Sequence, residues 1–178
     1  MLIPHTPEGW FNEVHGPTSS MNQPAPKPQA AVSAGYRAIV VHGRAQACLV
    51  LRQGAPVALI SAVGAASLGG PGWWRALVDD VCAACPKTPC IDILDCADAP
   101  GLAMAALRLG QRHLILWPDC PAFEAVRSAA ASIGAIVYNV RPPALDMADR
   151  QAMRQLAEYL RPKIPGAPPD RDSASPTR

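Results

Sequence analysis

The sequence predicts an α/β domain of the doubly wound, Rossmann-like or flavodoxin-like class, with a mainly parallel five-stranded sheet in a three-layer sandwich. Three observations predict this class. Five short apolar runs alternate with five segments of helical periodicity between residues 36 and 161. The runs are almost continuously apolar, as in strands that are covered on both faces. The alternation favours right-handed strand–helix–strand crossovers, and five units are too few for an eight-stranded barrel.

The predicted strands are the five apolar runs, and they determine where functional groups should gather. They cover residues 37–41, 56–60, 90–94, 113–117 and 135–140. The carboxyl ends of parallel strands meet at one edge of the sheet, and such sheets bind ligands beyond that edge. We call this edge the carboxyl rim and expect any functional site to lie there.

A helix is predicted after each strand, at residues 44–53, 73–85, 99–109, 121–133 and 146–160. Gly54, Gly110 and Gly134 stand where a left-handed residue ends a helix, and Asp146 is the predicted N-cap of the last helix. Apolar residues at helical spacing predict the buried faces. These faces are Trp74, Leu77, Val78 and Val81 in the second helix, Phe123, Val126, Ala130 and Ile133 in the fourth, and Met153, Leu156, Ala157 and Leu160 in the last.

The flanking segments differ in composition from the domain. Residues 1–35 are rich in Pro, Ser, Asn and Gln, and residues 162–178 are again Pro-rich and polar, so both are predicted to be disordered. The apolar pair Trp10-Phe11 stands out in the first segment. Three interpretations stay open for it: a short recognition motif, a segment that docks on the domain, or an incidental pair.

Composition excludes several classes of function. The 178 residues carry a net charge of +2 without a run of Lys or Arg, so no nucleic-acid partner is predicted. Residues 53–74 are uncharged and long enough to span a bilayer, but Pro56, Pro71 and neighbouring glycines would break such a helix. The first residues do not have the pattern of a secretory signal. We therefore expect a cytoplasmic protein whose six cysteines are reduced.

A glycine-rich segment, from Ser61 to Gly72, joins the second strand to the second helix. Backbone N–H groups at such a crossing can bind a phosphate, and glycines let the ligand approach. The segment has no Lys followed by Ser or Thr, and its glycines do not have the G-x-G-x-x-G spacing. The alternative is that the glycines only turn the chain and let Trp73 and Trp74 pack. The candidate ligand-binding residues here are Ser61, Gly64, Gly69, Gly70 and Gly72.

Two carboxylates follow the third strand. Asp95 occupies the position from which an acidic residue binds ribose in dinucleotide-binding folds, and a buried carboxylate there needs bonding partners. Asp98 precedes Ala99-Pro100 and is predicted to cap the third helix. Together, flanking Cys96, they could hold a divalent cation or act as acid and base. Asp95 is therefore a candidate for both ligand binding and catalysis.

The cysteine pattern Cys82-x-x-Cys85, with Cys90 and Cys96, is compatible with a metal or iron–sulfur site. The position of the pair argues against it, since the last turn of a helix opposes negative charge on a thiolate. Cys82 also continues the apolar stripe of its helix and is predicted to pack as a small hydrophobic residue. No metal site is therefore predicted.

Three further candidates reach the carboxyl rim. Cys120 precedes the fourth helix, whose dipole would activate a thiolate, and His42 from the first strand is its hypothetical partner. Arg141 follows the fifth strand and is expected either to clamp an anion or to pair with Asp95 or Asp119. The catalytic candidates are thus Asp95, Cys120 and His42, but no reaction and no cofactor follow from them.

Two hypotheses about function remain. In the first, the domain binds a small anionic or phosphorylated metabolite at the carboxyl rim through the glycine-rich segment, Asp95 and Arg141. In the alternative, the domain is a non-catalytic interaction or homo-oligomerisation module. Residues 62–74, with Trp73 and Trp74 exposed, would then form the interface.

Overall fold

The computed structural model describes residues 35–161, so the predictions for Trp10-Phe11 and for both flanking segments lie outside the described residues. The described chain contains six strands and five helices. The strands are β1 (Arg37–Val41), β2 (Val57–Ser61), β3 (Cys90–Asp95), β4 (His113–Ile115), β5 (Ile136–Tyr138) and β6 (Leu145–Asp146). The helices are α1 (Arg44–Leu51), α2 (Ala65–Ala84), α3 (Pro100–Arg108), α4 (Phe123–Ser132) and α5 (Ala152–Tyr159).

All strand pairs are parallel, and the strand order is β5-β4-β3-β2-β1-β6. The chain therefore builds the sheet outward from β1 to β5, and then places β6 on the other side of β1. This confirms the predicted α/β class with a parallel sheet. In the described residues the buried side chains of all five helices belong to the cluster on one face of the sheet, so these helices do not form the predicted doubly wound, three-layer sandwich. The one difference in strand number is β6, whose two residues are too few to produce an apolar pattern in the sequence.

Apolar side chains are buried on both faces of the sheet. The larger cluster joins the helices to alternate strand residues such as Ile39, Leu59 and Leu94. The smaller cluster, on the other face, contains their strand neighbours, among them Ile60 and Ile93. Because neighbouring residues of a strand point to opposite faces, burial on both faces requires the continuous apolar runs seen in the sequence.

Helix α2 begins earlier than predicted. The sequence predicts a glycine-rich crossing up to Gly72, whereas the helix starts at Ala65 and is interrupted only at Gly70 (φ 79°, ψ 160°), before Pro71. The predicted stripe is confirmed, since Trp74, Leu77, Val78 and Val81 are buried. Trp73 is 42% exposed, whereas Trp74 is fully buried, so the expectation that both tryptophans are exposed is wrong for Trp74.

The chain after β4 departs from the prediction at several points. Strands β4 and β5 are shorter than predicted, which leaves Trp117 and Val140 exposed beyond their ends. In α4, Val126 and Ala130 are buried as predicted, but Ile133 follows the helix and is 44% exposed.

Asp146 does not cap the last helix. It lies in β6, and α5 begins at Ala152. The buried face of α5 consequently starts from Ala152 and continues through Leu156, while Met153 and Ala157 point to solvent.

Gly54, Gly110 and Gly134 take positive φ angles where the sequence predicts helix stops. In the described part of the chain, no helix is both long and apolar enough to cross a membrane.

Candidate functional site

Asp95 is the centre of a polar network at the carboxyl rim. Its side chain lies at the end of β3 and is almost completely buried. The Oδ1 atom accepts hydrogen bonds from the backbone N–H of Gly64 (3.0 Å) and of Ala97 (2.9 Å). The Oδ2 atom is bonded to the guanidinium of Arg141. The carboxylate therefore has the partners that its burial requires.

Ser61 joins the ends of β2 and β3. Its hydroxyl accepts a hydrogen bond from the backbone N–H of Asp95 at 2.9 Å and donates one to the carbonyl oxygen of Ala62 at 3.1 Å. Ser61 is fully buried. Its hydroxyl thus acts as a structural bridge at the point where regular pairing of the two strands ends.

Arg141 reaches this network from β5, across the end of β4. One guanidinium nitrogen is bonded to Asp95, and the other donates to the carbonyl oxygen of Ser61 at 2.7 Å. The prediction that Arg141 pairs with Asp95 is confirmed. Because the guanidinium holds two acceptors at fixed geometry, it anchors residues 139–144, which lead from β5 toward β6.

The glycine-rich segment contributes less to this network than its composition suggests. Gly64 takes the left-handed conformation (φ 64°), and its N–H is used by Asp95. Gly69, Gly70 and Gly72 lie within α2, away from the bonds of Asp95. The structure therefore brings together Ser61, Gly64, Asp95 and Arg141, and it leaves the other three glycines outside the network.

The part that Ala97 plays in the network has no signal in the sequence. Ala97 takes a positive φ of 48°, and no other non-glycine residue does so within residues 35–161. This conformation accompanies the bond from its N–H to Asp95, and its carbonyl accepts the N–H of Trp117 at 2.7 Å. Such strained residues are held by the surrounding bonds, which a sequence pattern does not reveal.

A second cluster of polar residues lies at the ends of β1 and β6. Strands β2 to β5 lie on one side of β1, and β6 lies on the other. His42 Nε2 and Asp146 Oδ1 are 2.7 Å apart, and the backbone N–H of Ala148 donates to the same carboxylate oxygen at 2.8 Å. Gln46 accepts from the N–H of His42 and donates to the carbonyl of Met147. The contacts of Asp146 and Gln46 were missed by sequence reasoning, since Asp146 looks like a helix cap.

Asp146 has a pKa below its ordinary value. Partial burial acts to raise the pKa, but the hydrogen bond from Ala148 and the contact with His42 together outweigh it. The carboxylate is thus charged at neutral pH and holds β6 at the edge of the sheet.

The hypothetical Cys120–His42 pair is not formed. Strands β2 and β3 lie between β1 and β4 in the sheet, which separates the two strand ends by about 14 Å. Cys120 is buried, and α4 begins only at Phe123. The prediction that Cys120 directly precedes the helix is therefore wrong.

The other carboxylate and cysteine candidates do not assemble into a metal centre. Asp98 is exposed and makes no capping bond to α3, whose N-cap position is Ala99. Burial raises the pKa of Cys96 to about 12, so its thiol is protonated at neutral pH. Within residues 35–161, no group of three or more His, Cys, Asp or Glu side chains is placed to hold a metal ion.

A group of exposed apolar side chains follows β2. Val63 and Leu68, on the chain between β2 and the kink in α2, are 58% and 85% exposed. Trp73 adds a partly exposed indole beyond the kink. These three side chains, with the exposed backbone of Gly69 and Gly72, form what we call the apolar ridge.

Comparison with known proteins gives no family model that matches this chain and no curated protein that is similar to it in sequence. The arguments about function consequently rest on the geometry of the rim.

Proposed function

We propose that this domain is a homomeric assembly module in which two copies meet through the apolar ridge, that is, Val63, Leu68 and Trp73 with Gly69 and Gly72. The observation that carries the proposal is the exposure of Leu68, which is 85% accessible and has two other exposed apolar residues, Val63 and Trp73, within five positions in the chain. Contiguous exposed apolar surface on a protein commonly marks a site of association.

The absence of charge supports a second copy as the partner. Residues 53–74 contain no Asp, Glu, Lys or Arg. In a two-fold contact the same patch meets itself, so a charged patch would bring like charges together, whereas an uncharged patch would not. Arg75, the first charged residue after this segment in the chain, already donates to Asp79 in its own helix at 2.6 Å.

Small residues on the ridge favour close approach. Gly72 is exposed and has open space where a Cβ would lie, so another backbone could pack near α2 there, whereas at Gly69 the indole of Trp73 already lies 2.9 Å from the Cβ position. A ridge of this kind suits helix-to-helix packing between two copies of the chain.

The hypothesis of an anionic ligand has weaker support from the same geometry. The Gly64 N–H and the Arg141 guanidinium, which would receive a phosphate, are both bonded to Asp95. Asp98 and Asp119 are exposed at the rim and add negative charge there. Ligand binding, like a cytoplasmic location, stays a prediction of the sequence.

A matched pair of leucine variants tests the proposal. The mass of the wild-type protein and of the L68D and L109D variants is measured by light scattering over a range of concentrations. Leu109 is also exposed, at 53%, but lies beyond the end of α3, away from the ridge. We expect a wild-type dimer, a dimer for L109D, and a dimer dissociation constant at least about tenfold higher for L68D.

Other outcomes would contradict the assembly module. A wild-type protein that is monomeric at every concentration overturns it, and so does equal dimerisation of L68D and L109D. A thermal-shift screen with nucleotides and phosphorylated metabolites tests the ligand hypothesis separately. A rise in Tm that disappears in the R141M variant would support a ligand site at the rim instead.

A further inference from the structure

Three cysteines lie where the end of α2 meets the start of β3. Cys82 is in the last turn of the helix, Cys85 is its C-cap, and Cys90 is the first residue of the strand. All three are half-buried and pack against the larger apolar cluster. The short connection of residues 86–89 folds the strand back under the helix.

The side chains of Cys82 and Cys90 face each other across this junction. Cys82 follows Trp74, Val78 and Val81 on the buried side of α2. The side of β3 that faces this helix is identified by Asp92, which accepts a hydrogen bond from Trp74 Nε1 at 3.0 Å. Cys90 is two residues from Asp92 in the strand and so points to the same side.

The two thiols are near enough for each to affect the pKa of the other, and the Sγ atom of Cys90 donates a hydrogen bond to the carbonyl oxygen of Ile91 at 3.4 Å. A disulfide between the two cysteines would bring the two sulfur atoms to about 2.0 Å, with the Cβ atoms about 3.5–4.5 Å apart. This contact joins residues from two different elements, whereas a link between Cys82 and Cys85 would stay within one helix end.

We propose that Cys82 and Cys90 form a reversible disulfide through exchange with a small disulfide such as oxidised glutathione, and that this bond staples the end of α2 to the start of β3. The proposal is independent of the assembly of the domain, because neither cysteine belongs to the apolar ridge.

The exchange takes place in two steps. The Cys82 thiolate attacks one sulfur of oxidised glutathione, the disulfide of glutathione breaks, and one glutathione thiolate leaves. The Cys90 thiolate then attacks the Sγ atom of Cys82 and displaces the second glutathione. The two cysteine thiols are oxidised, one glutathione disulfide is reduced to two thiols, and the two protons that the cysteines lose end on the two glutathiones.

The environment makes this exchange slow at neutral pH. Burial raises the pKa of Cys90 to about 12. Burial also raises the pKa of Cys82, although the neighbouring Cys90 thiol partly offsets the rise. Cys82 is thus the better attacking group and Cys90 the resolving one. Because only the thiolate reacts, the rate should rise about tenfold per pH unit below these pKa values.

The experiment uses the full-length protein. It is incubated with oxidised glutathione at several pH values, quenched with acid and alkylated after unfolding, and the linked peptides are identified by mass spectrometry. We expect a single linkage, between Cys82 and Cys90, with the other four cysteines alkylated and a higher Tm for the oxidised protein. Reduction with dithiothreitol should restore all six alkylated cysteines.

Serine variants provide the controls. C85S should form the linkage at the wild-type rate, whereas C82S and C90S should not form it. The linkage map of the wild-type protein decides the question even if a variant fails to fold. A link between Cys82 and Cys85, a persistent mixed disulfide of Cys82 with glutathione, or full alkylation after incubation would each overturn the proposal.

Discussion

Arg141, in the segment after β5, is bonded to Asp95 at the end of β3, although β4 lies between these two strands. Its guanidinium also holds the carbonyl oxygen of Ser61, so one side chain ties the ends of β2 and β3 to the return of the chain toward β6. The buried carboxylate of Asp95 thus accepts hydrogen bonds from two backbone N–H groups and one guanidinium at the carboxyl rim.

The first prediction concerns Asp95. The D95A variant should lose about 3–5 kcal/mol of the free energy of unfolding, because it leaves a guanidinium and the N–H groups of Gly64 and Ala97 without their acceptor. The measurement is urea unfolding followed by circular dichroism at one fixed protein concentration. The matched control is D98A, which removes an exposed carboxylate and should change stability by less than about 0.5 kcal/mol. Similar small losses in both variants would contradict the structural role of the network.

The second prediction compares two glycines on either side of Pro71. Gly70 has φ 79° and ψ 160°, a conformation that side chains rarely adopt, so G70A should be destabilised by about 1–3 kcal/mol. Gly72 has an ordinary φ and open space around its missing Cβ. The G72A variant should therefore be stabilised by up to about 1 kcal/mol, since alanine restricts the unfolded chain. Thermal unfolding of both variants checks the opposite signs, and a loss of equal size in both would show that the kink is not where the strain lies.

The third prediction separates the adjacent tryptophans. Trp74 is fully buried and donates to Asp92, whereas Trp73 is 42% exposed. W74F keeps an apolar ring but removes the donor, so it should lose about 1–2 kcal/mol of the free energy of unfolding. W73F should change it by less than about 0.5 kcal/mol. Chemical unfolding of the two variants in parallel tests the assignment, which the reverse ranking would refute.

The fourth prediction is a pH dependence due to His113. Burial lowers the pKa of His113 below its ordinary value of 6.5, with a smaller opposing effect from Asp92. The unfolded chain therefore binds this proton at a higher pH than the folded chain does. Neutral His113 therefore contributes fully to the free energy of unfolding above pH 6.5. This contribution is lost as the pH falls toward the lower pKa of the folded state.

The test of this pH dependence compares the wild-type protein with the H113F variant. The free energy of unfolding of the wild type should decrease relative to that of H113F between about pH 7 and pH 5. Nuclear magnetic resonance titration of the His113 ring provides an independent measurement. A constant difference between the two proteins over this range would show that His113 does not titrate differently in the two states.

Much of the fold was predictable because it depends on local patterns. The run at 90–94, which is apolar apart from Asp92, predicts a strand covered on both faces, and the spacing of Trp74, Val78 and Val81 predicts the buried side of α2. Each of these apolar patterns lies within a single strand or helix, and the same rule, that apolar residues face the core, applies to every element. The two-residue strand β6 has no such pattern, since its position depends on its pairing with Ile39 and Val40.

For the candidate site, the sequence predicts which residues lie at the carboxyl ends of the strands, but not most of the contacts between them. Sequence reasoning brings Ser61, Asp95 and Arg141 to one rim, and these three are in contact. It also placed Gly69, Gly70 and Gly72 in an open crossing, whereas they lie in α2, because a glycine-rich sequence is compatible with both a loop and a kinked helix. It paired Cys120 with His42, which the strand order separates.

The sequence by itself determined the succession of strands and helices and the residues that face the core, because hydrophobic periodicity acts over a few neighbouring positions. The tertiary structure decided which polar groups satisfy one another. Arg141 and Asp95 are 46 positions apart, and His42 and Asp146 are 104 apart. Such pairs are set by strand order and by the requirement that buried charges find partners, and both emerge only when the whole sheet is assembled.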